Sequence, residues 1–350
     1  MHFPPKFYTL ALAGLLLASC SRAPEPGLEA QAAVSAAPVP VIFDTDLGYD
    51  ADDAGALAVL HALADRGEAE VLATMTVVGD PQSAGALDVI NTYYGRPDTP
   101  IGAMKGGRWL DARPYWFETN PDFLGPLVRE YPSNVKHKDA APGAVPLYRR
   151  TLAAQPDRSV TVVAVGFAQN LANLLRSPPD RFSPLSGRAL VARKVERLVY
   201  MGSTLAGTRP DFNLGDGPYQ DGRAAQQVVA AWPTKIVFVN AEIGRHIGTG
   251  SGLREQLPAN PVARTYDLYP GVNAKGERPS WDLTAVLYAV RGGGTFWREV
   301  TGRALTVSRE GVTTWRRAAS ISSAILPPRR HLEQVGPSSE IKSTLDGLLE

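Results

Sequence analysis

The sequence predicts an α/β protein built on a single open, mainly parallel sheet with helices on both faces, a Rossmann-like core. Three observations predict it. Short apolar, β-branched runs recur at residues 39–43, 70–78, 101–104, 160–165, 198–201 and 235–239. Helical patterns lie between them at 54–64, 83–94, 168–175 and 221–231. This alternation builds parallel sheets, because each return crossover needs a helix. Polar and acidic residues also gather just after the strands, where open sheets bind ligands.

The first segment reads as targeting. Lys6 gives a charged start, and residues 8–18 form an apolar run too short to span a bilayer. Leu17-Ala18-Ser19-Cys20 then resembles a bacterial lipobox. Cys20 is the only cysteine, so no internal disulfide forms. The expectation is a lipoprotein signal peptide over residues 1–20, with Cys20 lipidated. Ser21 after it points to the periplasmic face of the outer membrane, in the bacterial cell envelope. Residues 21–38 are rich in Ala, Pro and Glu and read as a flexible tether. Residues 39–350 suit one domain. With 36 basic and 35 acidic residues and no basic run interleaved with aromatics, nucleic-acid binding has no support.

Residues 39–57 organise the chain. An apolar strand ends in Asp44, Asp46, Asp50, Asp52 and Asp53, and a helical pattern follows at once. One or two acids suit a helix N-terminus as caps and dipole partners. Five repel one another unless water or a cation neutralises them. An all-carboxylate set selects a hard ion such as Ca²⁺ or Mg²⁺. The spacing is not that of an EF-hand.

Asp44-Thr-Asp-Leu-Gly-Tyr-Asp-Ala-Asp-Asp-Ala54 resembles the N-terminal aspartate motif of the inosine-uridine-preferring nucleoside hydrolase family, in a bacterial branch with two extra residues after the Gly. The resemblance implies one Ca²⁺, a water activated by an aspartate of the Asp52-Asp53 pair, and cleavage of the N-glycosidic bond of a ribonucleoside. Further matches follow in order. Val78-Gly79-Asp80 stands where the family has Gly-Asn, so Asp80 binds metal, holds a sugar hydroxyl or caps the helix after Pro81. Val165 to Leu171 resembles a turn whose backbone carbonyl, here of Gln169, completes the Ca²⁺ shell. Tyr200-Met201-Gly202-Ser203 resembles the family's Met-Gly-Gly. Asp211-Phe212-Asn213 resembles its Glu-Phe-Asn, which binds ribose hydroxyls. Trp281-Asp282 stands where the family has His-Asp. Asp282 keeps the metal role. Trp281 can stack on a base but is no acid.

The resemblance therefore implies Ca²⁺ held by Asp46, Asp53, Asp282 and the Gln169 carbonyl. It makes Asp52 the base, with Asp50 as alternative because of the insertion. Asp44 orients a ligand, and Asp80, Asp211, Asn213 and Trp281 contact substrate. A homo-oligomer is also implied. Two other classes stay open: a Ca²⁺-dependent nucleoside- or sugar-binding lipoprotein without turnover, and a haloacid-dehalogenase-type phosphatase, which also begins Asp-x-Asp at a strand end. Residues 109–141, including Trp116 and Phe117, read as an irregular loop. His61, His246 and His331 read as structural. Residues 295–350 read as a hairpin around Glu310-Gly311, a polar segment and a short helix.

Overall fold

The computed structural model describes residues 1–2, 37–105, 122–217, 220–317 and 327–350. Strands β1 (Val39–Thr45), β2 (Ala69–Thr76), β3 (Ile101–Ala103), β4 (Val160–Ala164), β5 (Val195–Met201) and β6 (Lys235–Val239) form the parallel body of the sheet. Short β7 (Gly248–Thr249) and β8 (Arg278–Pro279) pair with each other. Then come β9 (Trp297–Val300), the hairpin of β10 (Arg303–Val307) and β11 (Thr313–Arg317), and β12 (Arg329–Gln334). The large sheet runs β3-β2-β1-β4-β5-β6-β12-β9. Only β9, at the edge, is antiparallel to its neighbour. Both faces of β4 are buried, which is why its sequence is an unbroken apolar run rather than an alternating one.

The order 3-2-1-4-5-6 reverses between β1 and β4, and that reversal opens a crevice at the strands' carboxyl ends. Asp44 of β1 pairs in register with Ala164 of β4, and Thr45 with Thr76 of β2. The acidic stretch after β1 therefore emerges into the crevice.

The helices in chain order are α1 (Asp52–Asp65), α2 (Ser83–Tyr93), α3 (Leu124–Glu130), α4 (Ala144–Ala154), α5 (Gln169–Arg176), α6 (Gly187–Lys194), α7 (Arg223–Ala231), α8 (Ala241–Gly244), α9 (Leu253–Gln256), α10 (Pro261–Leu268), α11 (Trp281–Arg291) and α12 (Ser338–Leu349). One core packs α1, α2, α10, α11 and α12 on the first face of the sheet. A second packs α4, α5, α6 and α7 with the β10–β11 hairpin on the other. Within the first core, Gly55 of α1 lets α10 and α11 come close. A Cβ there would lie 2.5 Å from the Tyr266 hydroxyl and 3.2 Å from Leu283 Cδ1. A side chain at this position would displace the Tyr266 ring of α10 and crowd Leu283 of α11.

The tail differs from expectation in one respect. The hairpin is present, but β12 runs back into the large sheet beside β6. Its sequence, Arg-Arg-His-Leu-Glu-Gln, lacks the apolar run of a buried strand because β12 lies near the sheet's edge. Residues 124–130, read as part of a loop, form α3, whose Leu124, Leu127 and Val128 are buried. Trp116 and Phe117 fall outside the described residues.

Candidate active site and metal centre

The floor of the crevice is built by the β1–α1 turn. Thr45 Oγ1 accepts from Leu47 N (3.0 Å) and donates to Asp53 Oδ1, tying the strand's end to the helix's first turn. Tyr49 N donates to the Asp46 carbonyl (3.0 Å) and closes the turn. Gly166, just after β4, packs against this turn so tightly that a Cβ would sit 2.5 Å from Asp46 N. Asp52 and Asp53 open α1, and Asp282 lies in the first turn of α11. The Asp282 backbone N–H donates to Asp52 Oδ2 (3.1 Å). One oxygen from each of Asp52, Asp53 and Asp282 can be chosen so that all three lie within 4.8 Å of one another. Asp46 lines the same cavity and shares a hydrogen bond with Asp53.

All four carboxyls are buried, and burial holds each well above the usual carboxylate range. Their mutual repulsion adds to this; at such separations each ionised pair costs about 3 kcal/mol at an effective dielectric of about 20. Protons or a hard cation can relieve the crowding. The donor set, oxygen only and anionic, suits a hard divalent ion.

Asp50 stands apart. Both of its oxygens engage Arg278, with Nε to Oδ1 at 2.7 Å. The guanidinium carbon lies 5.0 Å from the Trp281 ring centroid and 5.2 Å from that of Tyr269, a cation–π arrangement on both rings. The sequence offered no cue to Arg278, which opens the two-residue strand β8 in a stretch of mixed polar residues with no periodic pattern.

The opposite wall is the segment between β5 and α7. Asn213 donates through Nδ2 to the carbonyls of Val165 (2.7 Å) and Met201 (3.1 Å), pinning this segment to the ends of β4 and β5. Asp211 accepts from Leu214 N (2.9 Å), and burial pushes its carboxyl up to about 6. The tail hairpin braces this wall from behind. Asp211 N donates to the Gly311 carbonyl (3.0 Å), and Thr204 N to Thr313 Oγ1 (3.0 Å). Tyr49 meets Phe167 and Phe212 edge-on, and the two Phe rings lie tilted to each other, with ring centroids 4.9 to 5.7 Å apart. Trp281 is fixed by its indole N–H on the Ala241 carbonyl (2.9 Å). Together these residues enclose about 450 Å³, lined also by Arg209 and Arg245.

Asp46, Asp50, Asp52, Asp53, Asp211, Asn213, Trp281 and Asp282 thus meet in one cavity. Asp80 and Gln169 are not among its lining residues. Asp80 accepts from Gln82 N (2.5 Å) and, through its carbonyl, from Ser83 Oγ (2.9 Å), in the turn that leads into α2. Gln169 opens α5, and the cavity reaches that strand end at Val165 instead. Asp44 is held by Tyr148 Oη (2.8 Å) and Asn170 Nδ2 (3.0 Å), which join β1 to α4 and α5; burial raises its carboxyl to about 7. His61 hydrogen-bonds Asn91 at 2.9 Å and stacks on Tyr94. Cys20 falls outside the described residues.

The sequence model of the inosine-uridine preferring nucleoside hydrolase family matches residues 41–324. The chain belongs to that family. Membership removes the phosphatase reading. Among solved structures, this nucleoside hydrolase family member is similar to a plant nucleoside hydrolase (20% identity, TM-score 0.64, covering 89% of this chain and 99% of that one). It is similar to the inosine-uridine preferring nucleoside hydrolase of Bacillus anthracis (17%, 0.62, 89% and 98%). It also resembles the type III effector protein XopQ, solved with adenosine diphosphate ribose (14%, 0.65, 89% and 93%). At these identities the likeness establishes the fold. Comparison with curated proteins returns no match.

The raised carboxyls set a pH dependence. In the folded chain Asp44, Asp211 and the four clustered acids keep protons that the unfolded chain releases near 3.8. Their contribution to stability is therefore full below that value and is lost as pH rises through the folded values, about 6 for Asp211 and about 7 for Asp44. The expected outcome without divalent ions is a Tm that falls between about pH 5 and about pH 8. Added calcium should raise Tm more at the higher pH, where protons no longer compete. A calcium effect equal at both pH values would contradict this.

Proposed function

We propose that the chain is a Ca²⁺-dependent ribonucleoside hydrolase, releasing ribose and free base. The observation that carries this is the convergence of Asp52, Asp53 and Asp282, from two separate helix starts, under a cavity whose far wall carries Asp211 and Asn213. Asp53 and Asp282 would hold the ion. Asp46 and Asp52 divide the roles of third ligand and general base. Asp50 is the weaker base, because both its oxygens already serve Arg278. A bound Ca²⁺ would supply charge for binding ribose hydroxyls and polarising water.

Asp211 accepts hydroxyl hydrogens from the sugar. Asn213 engages its N–H groups with the backbone and so offers its carbonyl oxygen. Trp281 packs against the base and gives it no proton, since indole is a donor without acidity and its N–H is already bonded. That feature favours a second reading, ligand binding without turnover. The homo-oligomer remains a proposal, tested by light scattering of the full chain, with a purely monomeric mass counting against it.

For the first residues we propose a lipid anchor at Cys20 and attachment at the periplasmic face of the outer membrane, supported by the Leu17-Ala18-Ser19-Cys20 order. Among the described residues no helix is long and apolar enough to cross a membrane.

Two measurements test these proposals. A panel of purine and pyrimidine ribonucleosides should release reducing sugar only with calcium present. Asp52→Asn or Asp46→Asn, whichever removes the base, should lower kcat by about 100-fold or more while calcium affinity is kept. Retained nucleoside binding with no sugar released would transfer the proposal to the binding reading. Palmitate labelling in a bacterial host should mark the wild-type chain in the outer-membrane fraction and vanish in Cys20→Ser. An unlabelled wild-type chain would defeat the anchor.

A further inference from the structure

Two arginines at the cavity have no carboxylate partner among the described residues. Arg209 lies two residues before Asp211, and Arg245 follows α8; both line the cavity and both are exposed. The third arginine of the lining, Arg278, is paired with Asp50. Glu242 stands three residues before Arg245, a spacing that suits an ion pair on a helical turn. Instead its Oε1 accepts from Leu205 N (2.9 Å), and its Oε2 has no partner. Among the described residues, neither guanidinium is held by an acid.

The cavity is therefore polarised. Its floor is a buried carboxylate cluster, which favours a cation and the hydroxyls of a sugar. Its exposed margin carries two uncommitted positive charges. A neutral nucleoside would use the floor, the Asp211–Asn213 wall and Trp281, and leave the two charges unused. A ligand with a sugar on the floor and an anionic group reaching the margin would use both. Guanidinium is the side chain best matched to phosphate, since its planar donors meet two oxygens at once.

We infer that the site takes a phosphorylated ribosyl ligand, a nucleoside phosphate or a ribosyl phosphate, with Arg209 and Arg245 receiving the phosphate. This rests on the sugar-binding reading of the floor given above.

The test is equilibrium titration of the full chain, with calcium, using adenosine 5′-monophosphate, ribose 5-phosphate and adenosine, while base release is followed separately. Adenosine 5′-monophosphate is expected to bind about tenfold or more tighter than adenosine at low ionic strength, with the preference shrinking as salt is added. In the double variant Arg209→Ala, Arg245→Ala the ratio should fall towards one. In Arg209→Lys, Arg245→Lys part of it should survive, which excludes misfolding as the cause. Ribose 5-phosphate matching the nucleotide would identify a sugar phosphate as sufficient; weaker binding would show that the base is also read. Equal affinity for adenosine and its monophosphate in the wild-type chain overturns the inference, as does a preference that persists in the alanine variant. Phosphate preference without base release would defeat the hydrolase reading alone, and base release without phosphate preference would defeat this inference alone.

Discussion

Like charges held out of water at one point are what the rest of the molecule has to accommodate. Asp46, Asp52, Asp53 and Asp282 are each buried, and they face one another across a few ångströms. No fold would gather them for stability. Several local features serve the gathering. Thr45 clamps the helix start to the strand end. Gly55 permits α11 to approach α1, and Gly166 lets the β4 end close over Asp46. The reversal of strand order between β1 and β4 supplies the crevice into which all of this opens. Arg278 forms its ion pair with Asp50, at the cavity's side.

Much of this was legible in the sequence because it depends on local order. A β-branched run, five aspartates and an apolar helical pattern in succession place acids at a strand end whatever the distant chain does. Asp282 was legible only through its resemblance to a family motif, since one Asp at a helix start is otherwise a cap. Asp80 and Gln169 lie in motif-like positions and are not among the residues that line the cavity. Arg278, Tyr269, Arg209 and Arg245 were not legible at all. They lie at element ends and in connecting segments after β5, α8 and α10, and line one cavity only in the folded chain.

The two sides of the cavity are built differently. The acidic floor hangs from the end of β1 and the starts of α1 and α11. The wall carrying Asp211, Phe212 and Asn213 is a connecting segment braced by the C-terminal hairpin through Gly311 and Thr313. The hairpin thus contributes to the site without lining it. Such a division suits a reaction centre that stays constant and a ligand-reading surface that can vary.

The central claim is that the buried acids form a cation site. Equilibrium dialysis of the full chain against calcium, for wild type, Asp53→Asn and Asp282→Asn, tests it most directly. The account predicts a single tightly held ion per wild-type chain and affinity at least about tenfold weaker in each variant. A wild-type chain that binds no calcium, or variants that bind it as tightly, would contradict it.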